Sequence, residues 1–281
     1  MMHFRTLDWD MPELRKLIVQ LHFIEKPGGA IIARSITYVG FVGVLTGVKP
    51  NLSISLNFRP YHNDDHSLWS NAKFRFHQLA VLLGWRPSIA SILRDLIVPH
   101  SASTQHVDAT LLKESSTLNT ICATLPQIPS TAAYLTFCDG YETVVLEKDL
   151  TTANILRSSS FITTTNHDAI YDTKTNKAHK DAAQTDLGNT HGICMRDIID
   201  ESVDRKSCLA RKWRNWVEEQ ERAGAGQTAN TRGVSLGVLK AWMLDYPICD
   251  TMTHFVCVMD PARGEVRWVR RFEHGEIGEE M

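Results

Sequence analysis

Between residues 17 and 58 the chain alternates short apolar, β-branched runs with glycine- and proline-containing turns, a pattern that leaves room for little besides β-structure. Leu17-Ile18-Val19-Gln20-Leu21-His22-Phe23-Ile24 stops at Lys26-Pro27-Gly28-Gly29, and residues 31–38 resume in the same character, which is a hairpin signature. The run 42–45 predicts a further strand, Gly47-Val48-Lys49-Pro50-Asn51 a turn, and Leu52-Ser53-Ile54-Ser55-Leu56-Asn57-Phe58 a strand with one apolar and one polar face. The stretch 36–48 falls short of the roughly 18 apolar residues a membrane helix requires, and Gly40, Gly43 and Gly47 interrupt it.

Helical spacing takes over at 72–85, and Ser88 after Pro87 is placed to cap a helix over 89–98. A third helix is predicted over 107–125, ended by Pro126 and Pro129, followed by strands at 131–138, 142–147 and 160–165. Residues from about 174 to 189 are polar and predict a surface insertion. A charged amphipathic helix over 203–222 closes at Ala223-Gly224-Ala225-Gly226, another helix spans 234–245, and strands 251–259 and 266–272 form a hairpin around Asp260-Pro261-Ala262-Arg263-Gly264. Strand clusters flanked by helix clusters predict an α/β (α+β) fold with largely antiparallel sheets. The domain is expected to span 1–272, leaving 273–281 as a disordered tail.

The 281 residues carry a formal net charge of −2, so no basic footprint predicts a nucleic-acid partner. No Cys-x-x-Cys pair occurs among the six cysteines, and neither a Walker loop nor a Gly-x-Ser-x-Gly elbow is present. No cofactor or metal is predicted. His62 and His66 are four apart, a metal-binding spacing only on a helix, and Asn63-Asp64-Asp65 between them favours a solvated turn.

Arg5-Thr6-Leu7-Asp8-Trp9 places a guanidinium and a carboxylate on a short extended segment. Their spacing of three puts them on opposite faces of a regular strand, so only a bulge or strand end unites them; the plain alternative is a surface ion pair near a terminus. Asn166-His167-Asp168 follows Phe161-Ile162-Thr163-Thr164-Thr165. Asn166 has a side-chain N–H suited to a developing oxyanion, although an Asx turn accounts for the same residues. Cys122 and Cys138 have no adjacent base and read as packing residues.

Tyr38-Val39-Gly40-Phe41-Val42-Gly43-Val44-Leu45-Thr46-Gly47-Val48-Lys49-Pro50, with Ser53-Ile54-Ser55-Leu56-Asn57, resembles acid ceramidase and N-acylethanolamine-hydrolysing acid amidase. Arg5-Thr6-Leu7-Asp8-Trp9 looks like that family's Arg-x-x-Asp segment, Thr165-Asn166-His167-Asp168 like its Thr-Asn-x-Asp segment, and Asp204-Arg205 like its later Asp-Arg pair. The resemblance implies an αββα four-layer N-terminal-nucleophile hydrolase sandwich, here its β-subunit region. A cysteine exposed by self-cleavage attacks a fatty-acid amide while its own α-amine acts as base. Arg5 and Asp8 would orient that nucleophile, Asn166 would help form the oxyanion hole, and Arg205 would support the site. The implied substrate is an N-acyl lipid, ceramide or an N-acylethanolamide. The implied setting is lysosomal, vacuolar or secretory, with peripheral lipid contact, and the implied partner is an α-subunit or upstream segment.

Two departures stand out. Where the family has a glutamate after the position of Asn57, this chain has Phe58. A strand and turn leading into Arg5 take about eight residues, yet only four precede it and none is cysteine. The first strand and the nucleophilic cysteine are therefore expected to be missing, and this polypeptide to be inactive alone. Three functions stay open: amide hydrolase, non-catalytic acyl-lipid-binding or regulatory relative, or an α/β binding module of similar shape.

Overall fold

The computed structural model describes residues 1–64, 66–98, 117–172, 195–223 and 233–278. Its strands are β1 (His3–Asp8), β2 (Ile18–Ile24), β3 (Ile31–Tyr38), β4 (Thr46–Lys49), β5 (Leu52–Phe58), β6 (Ala133–Cys138), β7 (Thr143–Lys148), β8 (Ala153–Ser158), β9 (Thr253–Asp260) and β10 (Glu265–Arg271). Its helices are α1 (Leu68–Leu82), α2 (Ile89–Ile97), α3 (Leu118–Thr124), α4 (Met195–Ala223) and α5 (Leu236–Leu244). A seven-stranded sheet runs β2 to β8 in chain order, and a three-stranded sheet has the order β1-β9-β10, with every pairing antiparallel.

Alternation along the strands sorts the side chains into layers. Leu52 and Ile54 of β5, with Leu135 and Phe137 of β6, meet Ile92, Leu93, Leu96 and Ile97 of α2 and Ile121 of α3. The opposite face of the large sheet, through Ile36, Tyr38 and Val48, packs on Phe255, Cys257 and Met259 of β9. Val256 and Val258 point the other way, against Met243 of α5. The order is helices, sheet, sheet, helices, an αββα sandwich. β9 is covered on both faces, which explains its unbroken apolar run from Phe255 to Met259. Each fully buried aliphatic side chain contributes roughly 1.5–3 kcal/mol of transfer free energy.

The glycine-rich motif has a steric cause. Gly43 lies at φ +114°, and a Cβ there would come within 2.5 Å of the Ala90 carbonyl in the first turn of α2. Closeness of this kind lets Val44 N–H donate to Ala90 O at 2.9 Å, fixing the helix on the sheet.

Several sequence expectations are corrected. Residues 42–45 form no strand; β4 instead occupies most of the predicted turn, which shrinks to Pro50 and Asn51 because Asn51 takes a positive φ of 64°. The strand expected at 160–165 lies earlier, as β8, where pairing with β7 satisfies its backbone, and 161–165 is irregular. Beyond β10, Arg15 donates to Glu273 O at 2.9 Å, Arg270 pairs with Glu276 at 3.0 Å and Ile277 packs near α5, while 279–281 lie outside the described residues. The third helix is described from Leu118, whereas its predicted start at 107 and the polar segment 174–189 lie outside the described residues. Ser88 caps α2 as predicted, accepting from Ser91 N–H at 3.1 Å.

Candidate functional site

A cavity of about 910 Å³ opens between β1, the ends of β5 and β6, α1, the segment 162–166 and α4. Arg5, Asp8, Asn166 and Arg205 all line it, although 200 positions separate the first from the last. Asp204, the neighbour of Arg205, faces solvent and is not part of the wall. Phe41, Leu56, Phe74 and Ile162 supply apolar surface, and the more exposed Trp9 and Phe58 stand at the rim.

Arg5 and Asp8 line the cavity along with every other residue from Met2 to Trp9, and the register of β1 against β9 slips between Leu7 and Asp8. The two carry different partners: Arg5 turns to β4 and β5 of the large sheet, whereas Asp8 turns to Arg205 of α4. Arg5 is buried and donates to the Leu45 carbonyl, to Thr46 Oγ1 at 2.7 Å and to the Leu56 carbonyl at 2.6 Å. Its Nε–H has no partner among the described residues. Burial pulls its pKa down to about 10, against the opposing influence of Cys257, Tyr38 and Asp8. Asp8 is shifted upward by burial first of all, with Arg205 acting in the other direction. Its carboxylate accepts from Arg205 and, at 2.8 Å, from the Thr253 hydroxyl.

Asn166 sits on a loop clamped from both sides. Its backbone N–H donates to Ser202 Oγ of α4, one turn before Arg205, and its side-chain Nδ2 donates to Phe58 O at 2.7 Å. An amide nitrogen carries two hydrogens, so one N–H is left for a second acceptor. His167 bonds Ser202 at 2.8 Å and Asp172 at 2.9 Å, while Lys206 reaches Asp172 at 2.6 Å. On the sheet side Asp168 accepts two hydrogen bonds from Arg59, at 2.6 and 2.9 Å, and a third from Tyr134 at 2.9 Å. Burial lowers the Arg59 pKa, but the hydrogen bond and charge of Asp168 more than reverse this and carry it above its usual value. Sequence reasoning missed Arg59, Tyr134 and Ser202. Arg59-Pro60 closing an alternating strand was the available signal for the first.

No cysteine lines the cavity among the described residues. Cys138, Cys208, Cys249 and Cys257 are buried, and burial pushes the thiols of Cys138, Cys249 (to about 11) and Cys257 (to about 12) upward, away from thiolate. Ser55 also lines the cavity and lies 3.0 Å from His3 Nε2, with Ser53 3.0 Å from Nδ1. Burial, reinforced by Arg5, drives His3 down to about 3, so it is a poor base for activating that hydroxyl. His62 lies on Phe74 and bonds Asn63 and Asn71, and among the described residues no three His, Cys, Asp or Glu side chains are grouped to hold a metal.

No protein-family profile and no curated protein matches the chain. Solved structures do. An N-acylethanolamine-hydrolyzing acid amidase (NAAA) ortholog from Caenorhabditis elegans aligns at a TM-score of 0.61 with 18% identity, over 96% of this chain and 94% of that one. Penicillin V acylase from Agrobacterium tumefaciens aligns at 0.44 with 13% identity, over 92% and 75%, and a mutant conjugated bile acid hydrolase from Clostridium perfringens at 0.46 with 11% identity, over 96% and 85%. The first of these likenesses shows that the αββα fold is shared along nearly the whole of both chains.

Proposed function

We propose that this chain is the core of an amide hydrolase of the N-terminal-nucleophile type, acting on N-acyl lipids such as ceramide or N-acylethanolamides. The observation that carries the reading is the convergence of Arg5, Asp8, Asn166 and Arg205 on one partly apolar cavity. In this reading Arg5 and Asp8 orient a nucleophile and its amine, the free N–H of Asn166 faces the oxyanion, and Arg205 holds Asp8. The α-amine of an amino-terminal cysteine, with an ordinary pKa near ~8, is a suitable base.

No nucleophilic cysteine lines the cavity among the described residues. β1 pairs only with β9 among the described strands, so its other edge is open to a strand from an upstream segment or partner chain. In this reading the polypeptide alone binds acyl lipids without cleaving them. That is also what a non-catalytic acyl-lipid-binding relative would do. Peripheral lipid contact is supported by α1: Leu68, Trp69, Phe76, Leu79 and Leu82 are exposed, and Trp85 just beyond it as well. Lys73 and Arg86 lie over Trp69 and Phe76 at 5.4 and 5.7 Å, and residues 66–94 contain no acidic side chain. An apolar, cationic surface of this kind suits an anionic bilayer.

The test is to incubate the purified chain with an N-acylethanolamide and an N-acylsphingosine, measuring fatty-acid release and binding by tryptophan fluorescence. Saturable binding weakened at least tenfold by Asn166→Ala or Ile162→Arg, with no release, supports the reading. Absence of saturable binding, or release abolished by thiol alkylation, overturns it.

A further inference from the structure

Arg205 is gripped at both ends of its guanidinium. Nη1 meets Asp8 on the β1 bulge, and Nη2 meets Asp250 Oδ2 at 2.9 Å on the turn that leads into β9. The side chains of Arg205, Asp8 and Asp250 are 14%, 16% and 18% exposed, whereas Glu201, 3.4 Å from the same Nη2, is 65% exposed. Asp250 is itself held. Its Oδ1 accepts Met252 N–H at 2.8 Å, its backbone N–H donates to Thr253 Oγ1 at 3.0 Å, and Thr253 N–H returns to Asp250 O at 2.9 Å. The Thr253 hydroxyl, with one proton to give, spends it on Asp8 at 2.8 Å and stands 3.5 Å from Asp250.

We propose that Asp250 is a positioning residue: it anchors the far end of Arg205 so that α4 delivers a guanidinium to Asp8 in the cavity. The assignment rests on reading this cavity as the amide-hydrolase site, but its test does not use catalysis. Without Asp250, Arg205 keeps one buried contact and the exposed Glu201, which sits one helical turn away on α4 and draws the side chain towards solvent. The turn at 250–253 makes the carboxylate of Asp250 the fixed point and Arg205 the part that adjusts.

Two causes push Asp8 in opposite senses, which makes the experiment decisive. The groups acting on Asp8 are Arg5, Arg205, Asp250 and Thr253, with Tyr38 and Cys249 nearby. If Asp250 merely repels Asp8 through space, Asp250→Asn lowers the Asp8 titration midpoint. If Asp250 holds Arg205 in place, the same substitution lets the cation leave and raises the midpoint, by about one pH unit or more. Carboxyl carbon NMR of Asp8 across pH 3–8 reads the sign. Asp250→Glu, which keeps a carboxylate, is expected to restore the wild-type midpoint, and Glu201→Gln to leave it unchanged. If Asp250→Asn does not fold, the wild-type protein still answers: a guanidinium fixed at both ends gives separate, slowly averaging Nη proton signals for Arg205. A fall in the Asp8 midpoint, or freely averaging Arg205 signals in wild type, overturns the assignment. Failure of acyl-lipid binding would refute the functional reading and leave this result standing.

Discussion

Replacing Asp168 by alanine tests how the Asn166 loop is held. Arg59 and Asp168 form a two-bonded pair whose side chains are 4% and 13% exposed. Removing the carboxylate leaves Arg59 with Asn63 Oδ1 at 3.0 Å and the Lys148 carbonyl at 3.5 Å, neither of them charged, and leaves the Tyr134 hydroxyl, among the described residues, with Tyr61 at 3.5 Å. A buried cation stripped of its counterion costs about 3–5 kcal/mol. At this chain length that corresponds to a fall in Tm of about 6–20 °C. Urea melts followed by tryptophan fluorescence supply the free energy, and hydrogen exchange at the Asn166 backbone, whose N–H is bonded to Ser202, reports the loop itself. The double change Arg59→Met with Asp168→Leu removes both charges and is expected to recover most of the loss. A cost below about 1 kcal/mol for Asp168→Ala, the range of an exposed pair, would refute the idea that this ion pair anchors the loop.

Other consequences are open to measurement. His3 is held neutral in the fold, down to about 3, while the unfolded chain protonates near 6.5. Between those values the unfolded state binds more protons, so stability falls as pH drops from 6.5 towards 3, with a slope of up to about 1.4 kcal/mol per pH unit from this group. His77 and His254 shift in the same direction, and His3→Gln should flatten the urea-derived profile without abolishing it. Gly43→Ala forces a Cβ into the Ala90 backbone, so a loss of more than about 2 kcal/mol is expected in the same melts. Alkylation at pH 8 read by mass spectrometry should modify the half-buried Cys122 before Cys138, Cys249 and Cys257, which should react only on unfolding.

The strands and caps were legible because their signals are local. Alternation in Leu52–Phe58 and the serine before Ile89 each read out one element without reference to the rest of the chain. Strand limits failed where tertiary partners decided them. Ala153–Ser158 has exposed side chains at Asn154, Ile155 and Arg157 and no strong pattern of its own, yet β7 recruits it as an edge strand. The apolar Phe161-Ile162 run has the stronger strand character but lines the cavity at Ile162 and stacks Phe161 on Trp213 at 4.7 Å. At the site, Arg5 and Asp8 were legible as neighbours on one strand, but their partners, β4 and β5 for Arg5 and α4 for Asp8, were not. Asp250 and Arg59 were hidden because their roles depend on partners 45 and 109 positions away.

The most direct test of the central claim is a crystal structure of the protein with a non-hydrolysable long-chain N-acyl amide. The account places the acyl chain in the cavity against Phe41, Phe74 and Ile162, with the amide oxygen about 3 Å from Asn166 Nδ2 and the Arg5 and Asp8 side chains facing the carbonyl carbon. An amide seated away from Asn166, or a ligand bound elsewhere on the molecule with this cavity unchanged, would contradict it.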